Sequence, residues 1–305
     1  VLLVSILTAC GRADAGTTPT LFQLKLKQGE TYRTVMTMDQ TIEQTLLGET
    51  EKTTSVTQMT LSYTVSQVAA DGTIHMECTY EQISLAQGNA NEAVKYDSAN
   101  PDANQNAEQI APIYDKIIGQ TISVQFAPTG EAKSVEGFDA IIDSMMESMP
   151  EGPMREQFRQ SMSDMFEQSI TGNSGNLAYF PGQAIKVGDS WPQKTSMSTT
   201  IFNIELDTTY TLKERKDGIA TIETVSAGTF LPGESSEIMG MQMNFNMQGG
   251  QTGTLAVDEA TGWTTRSEIQ QNYAGTIEIG APGSSEPSMT MPMTMTTLVK
   301  TEPKP

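Results

Sequence analysis

Histidine occurs once in 305 residues and cysteine twice. That scarcity removes most metal and triad chemistry, which draws on clustered imidazole and thiol ligands. Positive charge is also short. The chain has 18 Lys and Arg against 37 Asp and Glu, a net charge of −19. Phosphate binding needs a basic patch, so nucleic acid is disfavoured as a partner. Attraction by charge to anionic lipid heads is disfavoured for the same reason. The sequence has no Gly-x-Ser-x-Gly elbow, no His-Glu-x-x-His, no phosphate loop and no dinucleotide fingerprint. A triad could use only His75, and nothing marks a partner serine. Close carboxylate pairs are expected of a solvated acidic surface. No catalytic residue, metal or cofactor is assigned, and the chain reads as a non-enzyme.

Residues Val1–Leu7 are almost all apolar and lead into Thr8, Ala9 and Cys10. Such a run is too short to span a bilayer but suits the apolar part of a signal peptide. Leu7-Thr8-Ala9-Cys10 resembles the lipobox of bacterial lipoproteins. That resemblance implies that residues 1–9 are the end of a signal peptide and that Cys10 carries the lipid. Residues 10–19 are then a polar tether reaching at most about 30 Å. The membrane becomes a partner through Cys10. Gly11 is not the Asp associated with retention at the inner membrane, so the expected place is the outer membrane facing the periplasm, in a diderm cell. Only Cys78 is left without a role. On a strand it shares a face with Ile74, Met76 and Tyr80, while His75 points away, so it reads as a small buried hydrophobe.

Thr, Val, Ile and Tyr dominate residues 21–87, as half-buried strands require. Asp71-Gly72 marks a hairpin, and residues 88–106 read as a surface loop. The period then changes. Ile110, Ile113, Tyr114, Ile117 and Ile118 have helical spacing, as do Phe138, Ile141, Ile142, Met145 and Met149, with a strand over Thr121–Phe126 and a Pro128-Thr129-Gly130 turn between them. Pro153 opens a third such stripe with Met154, Phe158, Met162, Met165 and Phe166. From Leu177 onward the strand signature returns. The expected fold class is α+β, mainly antiparallel β. Two repeated curved β units, 20–175 and 176–305, carry a three-helix insertion at about 107–171 in the first.

The repeat rests on three motif pairs. Gly29-Glu30-Thr31-Tyr32 matches Gly188-Asp189-Ser190-Trp191. Ser62–Val65 followed by Asp71-Gly72 matches Thr209–Leu212 followed by Asp217-Gly218. Phe126–Gly130 matches Asp258–Gly262. Phe180-Pro181-Gly182 before Val187-Gly188-Asp189-Ser190-Trp191, with an upstream Lys27–Tyr32 and a late Asp258–Gly262, resembles the bacterial lipoproteins of domain-of-unknown-function family 6263. The resemblance runs over about residues 20–300. It supports the lipoprotein reading and implies no catalytic residue. Physically, Gly188 permits a turn, Asp189 and Ser190 bond nearby backbone, and Trp191 anchors the next strand.

Methionine is abundant, at 19 residues, and patterned. Met239, Met241, Met243 and Met247 fall at two-residue steps around Phe245, as do Met289, Met291, Met293 and Met295. Each set occupies one face of a strand. Pro292 suggests that the last set lies on an edge. The candidate ligand-binding residues are Met154, Phe158, Met162 and Met165 on the third helix, with Met239, Met241, Met243, Met289, Met291 and Met293 on strands. Together they describe a groove that takes an apolar ligand or an envelope partner protein, since unbranched thioethers adapt to varied shapes. Two alternatives are a structural lipoprotein with no small ligand, and a Cu(I) site built from soft thioethers.

Overall fold

Alternating apolar and polar residues commit most of the chain to strands, and its turns are cut by residues that accept unusual backbone angles. At Asp217-Gly218 both central residues have positive φ, 53° and 81°. That is the geometry of the tight hairpin whose twist matches its strands. The computed structural model describes residues 18–46, 48–89, 92–146, 177–198, 202–232, 237–238, 241–280 and 287–304, with seven positions between 152 and 163.

The strands in chain order are β1 (Thr20–Leu21), β2 (Thr31–Leu46), β3 (Glu49–Val68), β4 (Ile74–Gly88), β5 (Ala93–Asp97), β6 (Thr121–Phe126), β7 (Ala132–Glu136), β8 (Ala184–Ile185), β9 (Ser190–Ser198), β10 (Phe202–Lys216), β11 (Ile219–Pro232), β12 (Glu237–Ile238), β13 (Met241–Asp258), β14 (Thr264–Gly280) and β15 (Met289–Pro303). Thirteen of them form one antiparallel sheet. Its path is β7-β6-β4-β3-β2-β15-β14-β13-β11-β10-β9, with β5 on β4 and β12 on β13. β1 and β8 make a separate two-stranded piece. Two α-helices stand among the described residues, α1 (Ala111–Ile117) and α2 (Phe138–Met145).

This corrects the expectation of an α+β fold with a three-helix insertion. Between the two helices the expected strand Thr121–Phe126 is present as β6, but it pairs with β4 and, with β7, belongs to the main sheet. The helical stripes are therefore served by two short helices that cover parts of a sheet. α1 lies with Ile110, Tyr114 and Ile117 against Ile83, Leu85 and Tyr96. α2 buries Phe138, Ile141 and Ile142, followed by Met146. The expected third helix falls largely outside the described residues. The strand runs on either side of it share one sheet, because β2 pairs with β15 from Gln44↔Met293 to Thr34↔Pro303. Two smaller expectations also differ. Residues 88–106 contain β5, which Val94 and Tyr96 turn toward the core. Residues 22–27 pair with no strand, although Phe22, Leu24 and Leu26 are buried.

The matched motifs make matching bonds. Thr31 and Thr64 share a hydroxyl bond of 2.9 Å, and Ser190 and Thr211 share another of 2.9 Å. The Gly29 N–H donates to the Val65 carbonyl at 2.8 Å, and the Gly188 N–H to the Leu212 carbonyl at 2.8 Å. The Lys27 N–H reaches the Glu30 carboxylate, as that of Lys186 reaches Asp189. Tyr32 faces Tyr63 across the first pair of strands, and Trp191 faces Tyr210 across the second.

Two buried clusters lie on one side of the sheet, here its inner face. The first joins Leu61, Val65, Met76, Cys78, Ile122, Val124 and α2 to Leu24, Leu26 and Trp263. The second joins Trp191, Leu212, Ile222, Leu255 and Val257 to Phe22 and Phe180. The segments leading into β2 and β9 each cross between the halves. In the first, the Leu24 N–H donates to the Pro128 carbonyl at 2.8 Å and the Lys25 N–H to the Thr261 carbonyl at 2.8 Å. In the second, the Phe180 N–H donates to the Thr129 carbonyl at 2.8 Å and the Ala178 N–H to Thr264 Oγ1 at 2.9 Å. Each leader thus bonds to both halves. Gly262 has φ +70°, and a Cβ there would fall 2.2 Å from the Gln23 carbonyl oxygen, so only glycine fits this crossing. Arg215 fastens the first leader. Its guanidinium forks onto Glu259 at 2.9 and 2.8 Å, donates to Thr20 Oγ1 at 2.8 Å and lies over the Phe22 ring.

Candidate functional site

Directly opposed residues of an antiparallel pair share a face, so strand register decides which methionines meet. Met243, Ile279 and Met289 stand in one row across β13, β14 and β15. Phe245, Ile277 and Met291 form the next row, and Met247, Gly275 and Met293 the third. Tyr273, Met295 and Ile42 continue in a fourth row onto β2. Strands lie about 4.8 Å apart and rows about 6.8 Å apart. The result is one contiguous apolar patch on the inner face, rising above the two clusters. The opposite face of the same strands carries Asn244, Asn246, Thr276, Glu278, Thr290, Thr294 and Thr296.

The patch is graded in exposure. Met247, Tyr273 and Ile277 are buried, Met243, Phe245, Met291, Met293 and Met295 are half-buried, and Met289 is exposed. Tyr273 lays its ring over β13 and β11. A Cβ at Gly249 or Gly228 would come within 2.8 Å of that ring, so the two glycines make the space it fills. Phe230 meets it edge to face at 5.4 Å. Burial pushes the Tyr273 hydroxyl above its ordinary pKa. Pro292 sits where β2 stops pairing with β15, so Met289–Pro292 have β14 on one side only. The edge that Pro292 suggests is thus confined to the first turn of residues in an otherwise central strand.

The sequence candidates divide as follows. Met243, Met289, Met291 and Met293 come together in these rows. Met162 packs on the first cluster instead, beside α2, where Arg159 holds Asp139 and Asp143 at 2.9 and 3.0 Å. β13 begins at Met241. Cys10, Met154, Phe158, Met165 and Met239 lie outside the described residues. Spacing alone left out Ile277, Ile279, Tyr273 and Ile42, because only the register shows that they complete the rows. Their signal in sequence is the apolar phase each keeps within its own strand.

Other features offer less. Cys78 is buried, and burial pushes its thiol up to about 12, with a bond from Tyr63 opposing the shift. A thiol held neutral is a poor nucleophile. Among the described residues no group of three or more His, Cys, Asp and Glu is placed to hold a metal ion, and no helix is long and apolar enough to cross a membrane. An open groove of about 1170 Å³ lies at the β2–β5 end, lined by Glu49, Glu51, Lys52 and Lys95 among others. A second, of about 640 Å³, lies on the outer face between Glu223, Arg266 and Glu268. Both carry charge at their walls, unlike the methionine rows.

The sequence profile of a family described as a family of unknown function, DUF6263, matches residues 71–264. The chain belongs to that family. The DUF6263 match takes in β4 through the start of β14 and so spans the boundary between the two halves. No curated protein matches the chain. Among solved structures, one titled for lipid–protein interactions in lipovitellin is similar over 92% of this chain, with a TM-score of 0.50 and 9% identity. The DUF6263 chain spans about a quarter of that lipovitellin chain, 26%. At this identity the likeness is one of fold. DynF of Micromonospora chersina (5% identity, 95% of this chain and 86% of that one) and OmpF of Salmonella typhi (6% identity, 89% and 98%) align at TM-scores of 0.22 and 0.24, too low to argue from.

Proposed function

We propose that this protein binds the apolar part of a lipid-class ligand on the methionine rows of its inner face. It does so at the cell envelope, held there by lipid on Cys10. The observation that carries the reading is the register that gathers Met243, Met247, Met289, Met291, Met293 and Met295 with Phe245, Ile277 and Ile279 into one graded, partly accessible patch. A patch of this kind backed by a mostly polar face is a common mark of a binding surface. Methionine suits chains of variable length and kink, because its thioether side chain adapts its shape. The fold shared with lipovitellin, whose title concerns lipid–protein interactions, points the same way. The role is binding, with no chemical step. The lipobox and the family resemblance support the anchor and the outer-membrane, periplasm-facing placement.

The test is fluorescence of N-phenyl-1-naphthylamine added to the 305-residue chain carrying Cys10→Ser. Emission should rise on binding and be displaced by fatty alcohols, with affinity growing per methylene. Full burial is worth about 0.8 kcal/mol per CH₂, close to fourfold in affinity, and half burial about twofold. Met291→Glu should abolish the signal with the sheet intact by circular dichroism. No emission rise with wild type, or an unchanged response in Met291→Glu, overturns the reading. The anchor is tested separately by radiolabelled palmitate, which wild type should incorporate and Cys10→Ala should not.

A further inference from the structure

Below the methionine rows one row of the inner face is polar from strand to strand. In register it reads Thr208, Ser226, Gln251, Gln271, Thr297, Gln40 and Ser55, across β10, β11, β13, β14, β15, β2 and β3. All but Ser55 occupy positions whose neighbours two residues away include apolar or glycine residues turned to the same face. Gln40 lies between Met38 and Ile42, Gln271 between Ile269 and Tyr273, and Thr297 between Met295 and Val299. Thr208, Ser226 and Thr297 are buried.

The belt bonds to itself in two stretches. Thr208 and Ser226 share a hydroxyl bond of 2.7 Å, the Gln251 amide donates to Ser226 Oγ at 3.2 Å, and the Gln271 amide donates to Gln251 Oε1 at 3.0 Å. Across the sheet the Gln40 amide donates to Thr297 Oγ1 at 3.2 Å and approaches Met295 Sδ at 3.5 Å. Among the described residues no bond joins Gln271 to Thr297, although they face each other in register. The break falls between β14 and β15, the two strands that carry most of the methionine rows. A glutamine amide offers two donors and a carbonyl acceptor. Within the belt Gln271 and Gln40, both half-buried, use only their nitrogen, Gln40 for two contacts and Gln271 for one, which leaves a carbonyl oxygen on each and a second N–H on Gln271.

We infer that the break at Gln271, Thr297 and Gln40 seats the polar end of an amphiphile whose tail lies on the methionine rows, and that this end is uncharged. The inference rests on the proposed function and names its ligand class: acyl chains ending in hydroxyl or ester groups, as in monoacylglycerols. Amides and hydroxyls match such groups bond for bond. From the belt to the upper strand ends, the inner-face positions of β13, β14, β15 and β2 are Met, Phe, Ile, Leu, Tyr, Gly, Gln and Thr, none of them charged. An ionised head would lose its water there without a counter-charge, at a cost that uncharged heads avoid.

The experiment is displacement of N-phenyl-1-naphthylamine from the Cys10→Ser chain by monooleoylglycerol and by oleate at pH 8. Monooleoylglycerol should compete at least about tenfold better, the worth of one or two net hydrogen bonds. Gln271→Leu should collapse that preference about tenfold, and Gln271→Lys should turn it toward oleate. Circular dichroism checks that each variant folds, and if neither does, the wild-type ranking alone decides. Oleate matching or beating monooleoylglycerol on wild type overturns the inference while leaving apolar binding in place. So does a folded Gln271→Leu with its preference intact. Failure of the wild-type chain to bind the naphthylamine probe at all removes the proposed function, and this inference with it.

Discussion

Trp263→Ala tests whether the two halves fold as one body. Trp263 follows the turn between β13 and β14, yet its ring is buried in the first cluster, at centroid distances of 4.7 Å from Tyr32 and 5.5 Å from Tyr63. Truncating a buried tryptophan costs about 3–5 kcal/mol through lost transfer energy and the cavity left behind. The two aromatic contacts place this site toward the upper part of that range. With a urea slope of about 3 kcal/mol per M, a loss of about 4 kcal/mol lowers the midpoint by more than 1 M. The chain has only two tryptophans. In the variant, emission therefore comes from Trp191 alone, which is buried in the second cluster, donates to the Tyr179 carbonyl at 2.8 Å and stacks on Tyr210. If the crossed leaders and the β2–β15 ladder couple the halves, Trp191 emission and far-ultraviolet circular dichroism shift together. A Trp191 transition that stays at the wild-type midpoint while the dichroism splits into two steps would refute the coupling.

Three further outcomes are expected. Gly262→Ala should cost at least about 2 kcal/mol, because φ is positive and the new Cβ meets the Gln23 carbonyl, read as a lower urea midpoint; an unchanged midpoint would show that the leader crossing is not tight. Stability should fall above pH 9. Burial holds the Cys78 thiol and the Tyr80 and Tyr210 hydroxyls at about 12 in the fold, against ordinary values of 9.0 and 10.0, so the unfolded chain loses those protons first. Each such group contributes full stability below its unfolded pKa and loses up to about 1.4 kcal/mol per pH unit between the two values. Urea midpoints at pH 7, 9 and 11 measure the loss, and Cys78→Ala should lessen it. Under dilute peroxide, peptide mass spectrometry should find Met289, Met291 and Met293 oxidised well before Met76, Met146 and Met247, which are buried; uniform oxidation would contradict the graded patch.

The strands were legible because alternation and Asp-Gly turns are local signals, and the pairs β3–β4 and β10–β11 carry both. The burial of Cys78 and the half-burial of Ile110, Tyr114 and Ile117 at α1 followed from the same periodicities, though Ile113 of that stripe is exposed. The helical insertion was over-read: the strand Thr121–Phe126 was legible between the stripes, but nothing local says that it pairs with β4 and brings β7 into the main sheet. Residues 22–27 alternate as a strand would, because one side is buried, but their partners are turns more than a hundred residues away. The polar belt was invisible for a different reason. Positions 40, 208, 226, 251, 271 and 297 have no common spacing, and only the register brings them into line. Their trace is a polar residue on the apolar phase of its own strand, a mark that means little until several such marks share a row.

The β2–β15 pairing fixes an order of events during synthesis. Among the described strands β2 is the first long one in chain order, and its second neighbour, β15, comes last. Until residues 289–303 emerge, one full side of β2 offers unpaired amides and carbonyls to any chain nearby, with Met36 and Met38 on the same strand. Such open edges recruit other strands, and closing this one means joining residues some 250 positions apart, a slow step for any polypeptide. A chain stopped short of residue 289 would keep that edge for good. The pairing of β2 with β15 is thus also what denies this edge to other chains.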